Sequence, residues 1–203
     1  MTTTNKFKET DIGNIPVEWE DIGLDELIKL RSGKTRPKDL LDHRGVDKKH
    51  PVYGGNGIIG YSSETNVDHE TVVIGRVGEY CGAVYHLPEK AWITDNAMYI
   101  KEFLTDKVTP EFLGLALDVL NLNQFSNKSG QPLINQSIVY SKSVPLPPLP
   151  EQKAIAHKLT VIRNAIEQTQ AVIEATEALK KSMMKHLFTY GPVPTHQTDQ
   201  VKL

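Results

Sequence analysis

Val144-Pro-Leu-Pro-Pro-Leu-Pro150 runs directly into Glu151-Gln-Lys-Ala-Ile-Ala156, and the chain changes character at that junction. Four prolines in seven residues exclude helix and remove backbone donors, so the segment reads as stiff and extended. Downstream, no glycine or proline interrupts the chain from Glu151 to Phe188. Ile155, Leu159, Ile162, Ile166, Ile173, Met183 and Leu187 fall on the a and d positions of a heptad. Thr169, Thr176 and Lys180 fill the remaining seam positions, while Ala165, Val172 and Leu179 widen the stripe on one side. Pro150 helps set the start of this helix, and Gly191-Pro192 stops the chain beyond its end. Thirty-eight residues make a rod roughly 57 Å long, against a breadth of about 30 Å for a 150-residue domain. Much of the rod is therefore expected to extend beyond the domain. Its stripe either lies across its own domain or pairs antiparallel with a second helix.

Upstream of the prolines the pattern is mixed. Leu24–Leu30 and Pro110–Asn123 carry helical apolar spacing, the second with Thr109 as N-cap and Pro110 at the first helical position. Ile58–Tyr61, Thr71–Ile74, Gly82–His86 and Ala97–Lys101 are short β-branched or aromatic runs between turn residues, and read as strands. The expected class is α+β: a globular domain over residues 1–149, one long helix over 150–188 and a polar tail over 189–203.

Composition bounds the function. At 203 residues, 39% hydrophobic and 24% charged, the chain holds one ordinary domain plus an appendage. Its longest apolar stretch, Leu113–Leu120, contains Asp118 and cannot span a bilayer; the first eight residues lack the apolar core of a secretory signal. Cys81 has no second cysteine for a disulfide or a cysteine-built zinc site. A cytoplasmic protein is expected. The net charge of −2 gives no global attraction to nucleic acid, but Lys29–Lys49 holds eight basic residues against three acidic ones. With Gly33, Pro37 and Gly45 inside it, that segment reads either as a phosphate-contacting loop or as a solvated loop with scattered charges.

Catalytic patterns fail one by one. Gly55-Asn-Gly57-Ile-Ile-Gly60 is a literal G-x-G-x-x-G, but Tyr61-Ser-Ser-Glu-Thr-Asn-Val-Asp68 follows it where a phosphate-binding helix would have to open. His43, His50 and His69 lack metal-ligand spacing. No P-loop, G-x-S-x-G, H-E-x-x-H or adenine-methyltransferase Asn/Asp-Pro-Pro-Tyr/Phe segment occurs. No metal site and no catalytic constellation is expected.

The proline junction resembles the "P-L-P-P-L-x-E-Q-x-x-I" junction of type I restriction–modification specificity subunits, where a target-recognition domain leads into a spacer helix. Three further stretches agree in order. Ile12-Gly-Asn-Ile-Pro-Val-Glu-Trp19 is similar to the family's N-terminal "G-x-I-P-x-x-W". Val52–Tyr61 and Ile74-Gly-Arg-Val-Gly78 resemble its central glycine loops, and Ser129–Gln136 resembles the segment before the junction. The resemblance implies a half-length form, with one target-recognition domain and one spacer helix. It implies a subunit that reads double-stranded DNA without chemistry of its own and recruits methyltransferase and endonuclease subunits. S-adenosylmethionine, ATP and magnesium would belong to those partners. Standard members carry two such units in tandem, so the chain is expected to be either a natural half-subunit or the first half of a longer protein. A half-subunit would pair with a second copy through the seam residues named above and read two inverted half-sites. The competing reading is a coiled-coil adaptor whose globular domain binds protein.

Candidate contacts follow from loop position and side-chain chemistry. Lys34, Arg36, Lys38 and Lys128 are expected to touch phosphates. Arg76 suits guanine, the amides of Gln131 and Asn135 suit adenine, and Tyr53 and Asn56 are secondary candidates on the Gly54–Gly60 loop. Each has a plain alternative: Arg76 pairs with Glu79, the amides cap turns, or Asn56 only shapes its turn.

Overall fold

The strand β1 (Phe7–Thr10) pairs antiparallel with β2 (Gly13–Pro16), and β3 (Glu20–Gly23) leads through one helical turn, α1 (Leu24–Leu27), into β4 (Ile28–Ser32). A long loop then precedes β5 (His50–Gly54), β6 (Gly57–Ser62), β7 (Thr71–Gly75), β8 (Val84–Leu87), β9 (Trp92–Ile93) and β10 (Ala97–Phe103). After α2 (Pro110–Val119) and a 3-10 turn at Leu122–Phe125 come α3 (Gln136–Tyr140), β11 (Ser143–Leu146) and α4 (Leu149–Tyr190). The structure is a computed structural model and describes residues 6–10, 13–127 and 130–192. Two compact units result, Met1–Ala156 and His157–Leu203.

In the first unit, an antiparallel sheet of order β4-β10-β7-β8 is the central layer. Successive side chains of a strand point to opposite faces, and β7 uses both. Val72 and Ile74 join Met98 and Ile100 of β10 against Leu113 and Leu117 of α2, with Leu24 and Leu27 of α1 in the same core. Val73 joins Ala97 and Tyr99 in a second core, with Tyr53 of β5 and Ile93 of β9. A strand buried on both faces reads as a continuous apolar run, which is why Thr71-Val-Val-Ile74 stands out in the sequence. A second sheet, β6-β5-β9, is antiparallel between β5 and β6 and parallel between β5 and β9.

The mixed helix-and-strand class stands, with four local differences from the sequence reading. Leu24–Leu30 is not one helix: Leu24 and Leu27 sit on one helical turn, while Ile28 and Leu30 alternate inward on β4 against β10. α2 starts as expected, with Thr109 Oγ1 accepting from the Phe112 N–H at 3.3 Å. It ends at Val119 rather than Asn123, because Asn121 adopts a left-handed φ of 49° and redirects the chain. α4 begins at Leu149, one residue before the expected start, since Pro150 is tolerated in the first turn. Ile155, expected in the exposed seam, is half-buried and packs on the first core. The heptad pattern runs unbroken through it, but the first two turns of α4 belong to the globular unit. Among the described residues, no helix is long and apolar enough to cross a membrane.

The junction is built around a buried amide. Gln152 is fully buried; its Nε2 donates to the carbonyls of Lys107 at 2.7 Å and Pro147 at 2.8 Å, and its Oε1 accepts from the Thr109 N–H at 3.0 Å. Next to it, Trp19 Nε1 donates to Glu151 Oε2 at 3.0 Å. β11, carrying Pro145, pairs antiparallel with β3, so the two ends of the domain close on each other. Replacing Gln152 by Ala would strand one N–H and two carbonyls in the interior. We expect a cost of about 3 kcal/mol, read as a lower urea midpoint, whereas Lys153→Ala on the exposed side should change stability by under about 0.5 kcal/mol.

Candidate nucleic-acid interface

Three loops meet at one end of the two sheets. The β5–β6 turn is a two-residue hairpin loop, Gly55-Asn56, closed by Gly57 at φ 83°. It packs against the loop after β7: a methyl group on Gly75 would lie 2.2 Å from the Gly55 carbonyl oxygen, so only glycine permits the approach. The third loop, Thr94–Asn96, lies against both. Arg76 N–H donates to the Asn96 carbonyl at 2.9 Å, and Thr94 N–H donates to that of Tyr53 at 2.9 Å. The segment before α3 is stitched in as well, with Gly78 N–H donating to Pro132 at 3.0 Å and Ile134 N–H to Arg76 at 2.9 Å. Finally, Lys34 N–H donates to Ile93 at 2.9 Å and the Lys34 carbonyl accepts from Asp95 at 2.9 Å, which lays the basic segment alongside. Gly33 makes this possible, because any side chain there would strike the Thr94 carbonyl at 2.2 Å.

The loops enclose an open cleft of about 430 Å³. Arg36, Asn56 and Gln131, three of the expected contact residues, line it together although they are far apart in sequence. Lys34 and Lys38 are exposed on the segment that carries Arg36. Lys128 lies outside the described residues. Three other basic residues of the segment are spent internally: Lys29 on Glu102 at 2.9 Å, Arg44 on Glu89 and Lys48 on Asp39. The Lys29 ammonium holds the Glu102 carboxyl below the usual carboxylate range. Among the described residues, Lys34, Arg36 and Lys38 form no ion pair.

The remaining candidates are placed differently. Tyr53 is 8% exposed in the second core, its ring 5.9 Å from that of Tyr85, because β5 is covered by the central sheet. It is withdrawn from the surface expected of it. Arg76 is half-buried, and its Nη1 donates to Ser32 Oγ at 3.1 Å and to the Asp95 carbonyl at 3.2 Å. It buckles two loops together, and its expected alternative partner, Glu79, is left unused. Asn135 caps α3, its Oδ1 accepting from the Ile138 N–H at 2.9 Å, so the amide oxygen needed for a two-point grip on adenine is already engaged. The cleft also presents Tyr80 and Asn96, absent from the sequence reading, and Glu79, named there only as a partner for Arg76. Glu79 and Tyr80 directly follow the Gly75–Gly78 turn, and Asp95-Asn96 before a strand is a turn signature. Among the described residues, no group of three or more His, Cys, Asp or Glu side chains is placed to hold a metal ion.

Residues 16–177 match the family model of the type I restriction modification DNA specificity domain. The EcoprrI type I restriction enzyme specificity subunit of Escherichia coli is 28% identical over 170 residues, 82% of this chain and 41% of that protein. The MjaVIII specificity subunit of Methanocaldococcus jannaschii is 27% identical over 197 residues, 91% of this chain and 45% of that protein. Among solved structures, the type I restriction-modification S subunit from M. genitalium superposes with a TM-score of 0.67 at 19% identity. That match covers 95% of this chain and 49% of the other. The chain thus spans about half the length of the curated relatives it matches.

The Tyr53 placement has a measurable consequence. Burial, and then the neighbouring Glu89 carboxylate, raise its phenol above the ordinary value near 10. Just above pH 10 the unfolded chain therefore binds fewer protons than the folded one, and stability falls as pH rises through that window. A plot of melting temperature against pH should fall less steeply above pH 10 in Tyr53→Phe than in the parent.

Proposed function

Because the chain belongs to the family of type I restriction modification DNA specificity domains, we propose that it is the sequence-reading subunit of a DNA-modifying complex. It directs partner methyltransferase and endonuclease subunits to a bipartite target on double-stranded DNA. The observation that supports this most is the cleft, where Arg36, without an ion pair among the described residues, stands beside the exposed side chains of Asn56 and Gln131 on a main-chain-stitched frame. Guanidinium and ammonium groups on the Lys34–Lys38 segment position the duplex by its phosphates, and the amides read base edges. The chain itself carries out no reaction; S-adenosylmethionine, ATP and magnesium are held by the partners. The complex works in the cytoplasm, where its DNA lies. The family match does not favour a protein-binding adaptor, and that reading is set aside.

The exposed stripe of α4 supports pairing. Leu159, Ile162, Ile166, Ile173, Met183 and Leu187 are each at least 40% exposed. Each of these side chains gains about 1.5–3 kcal/mol when fully buried, before ordering costs, although Thr169, Thr176 and Lys180 interrupt the stripe. Antiparallel pairing with a second copy gives two clefts that read inverted copies of one half-site.

Two measurements test these readings. Bound to DNA together with the methyltransferase subunit, the parent should lose affinity steeply with added salt, and Lys34→Ala or Arg36→Ala should each lower the log–log slope by about one. A flat salt dependence would contradict phosphate contact. Ile162→Asp combined with Ile166→Asp should convert a dimer to a folded monomer by light scattering, and a parent already monomeric at tens of micromolar would refute the pairing.

A further inference from the structure

Among the described residues lining the cleft, Glu79 alone carries a negative charge. Its carboxylate is exposed and makes no ion pair among the described residues, because Arg76 is turned toward Ser32 and Asp95. The turn beneath it is held firmly. Asn123 Nδ2 donates to the Glu79 carbonyl at 3.2 Å and to the Cys81 carbonyl at 2.8 Å, and Cys81 N–H donates to the Gly78 carbonyl at 3.0 Å. The carboxylate is thus presented to the cleft from an anchored backbone.

A bare carboxylate repels phosphate, so on a DNA-contacting surface it opposes binding to the backbone. Its favourable partner is a base edge that offers a donor. In the major groove those donors are the N4 amino group of cytosine and the N6 amino group of adenine, whereas guanine and thymine turn acceptors toward the protein. Adenine sets its N7 acceptor beside N6, facing the second carboxylate oxygen lone pair to lone pair. Cytosine sets a C5–H there, which carries no such repulsion. Asn56 and Gln131, whose amides hold donor and acceptor together, are the adenine-compatible side chains of the same cleft. Resting on the DNA-reading function proposed above, we infer that Glu79 is a specificity-determining residue: it selects cytosine at one position of the half-site and rejects guanine and thymine there by repulsion.

The test uses the full chain co-expressed with its methyltransferase subunit, with methylated adenines mapped across the host genome for the parent, Glu79→Gln and Glu79→Ala. The parent motif should contain a cytosine at which Glu79→Ala loses discrimination about tenfold, while Glu79→Gln moves that position toward adenine. All other positions should stay as in the parent, and circular dichroism should show both variants folded. Motifs unchanged in both variants would overturn the inference and leave the DNA-reading function intact. A change confined to a position that is not cytosine, or loss of methylation at every site by a folded variant, would overturn it equally. A parent that directs no methylation would defeat the DNA-reading function and the inference with it.

Discussion

The buried amide of Gln152 is the constraint on which the architecture turns. From the first turn of α4, a side chain with no net charge satisfies one N–H and two carbonyls that two other chain segments would otherwise leave unpaired in the interior. Those segments are the loop before α2, with Lys107 and Thr109, and the proline run, with Pro147. The proline run supplies few donors of its own, so acceptors such as the Pro147 carbonyl need a partner from elsewhere, and the glutamine is that partner. With Trp19 bonded to Glu151 and β11 paired to β3, the first residues of the domain and the first residues of the helix are fixed together. The short polar pattern Glu-Gln after the prolines is therefore a structural joint.

Much of this was legible because the relevant signals are local. Thr109-Pro110 announces a helix start, and the Thr71–Ile74 run announces a strand buried on both faces. The long α4 follows from forty residues without a breaker and with one apolar period. What escaped depends on distant partners. Leu24–Leu30 has apolar spacing that fits a helix or a strand, and only β10 alongside decides for β4 at Ile28. Ile155 continues the heptad without a break, and nothing in its neighbourhood tells that the core reaches that far along α4.

The cleft shows the same division. Its glycines could be found in the sequence, but which side chains they present could not. Tyr53 sits one residue before a glycine loop, as a contact residue would, yet a parallel pairing with the two-residue β9 helps bury it. Arg76 lies inside the loop motif and spends its guanidinium on the loop itself. Arg36, Asn56 and Gln131 are exposed and line the cleft, but only the fold brings these three distant positions together.

The frame of the cleft is held by glycine approaches, N–H to carbonyl bonds and the side chains of Arg76 and Asn123, while the exposed side chains at its rim carry little of the fold. Such a division separates two kinds of mutational fate. Substitutions at Gly33 or Gly75 break the frame, whereas those at Asn56, Glu79 or Gln131 leave it standing and alter only the chemistry on display. On the DNA-reading function proposed above, a lineage could drift from one recognised sequence to another by single steps, each passing through a folded protein. What the cleft displays is thus free to change without the frame that holds it having to change as well.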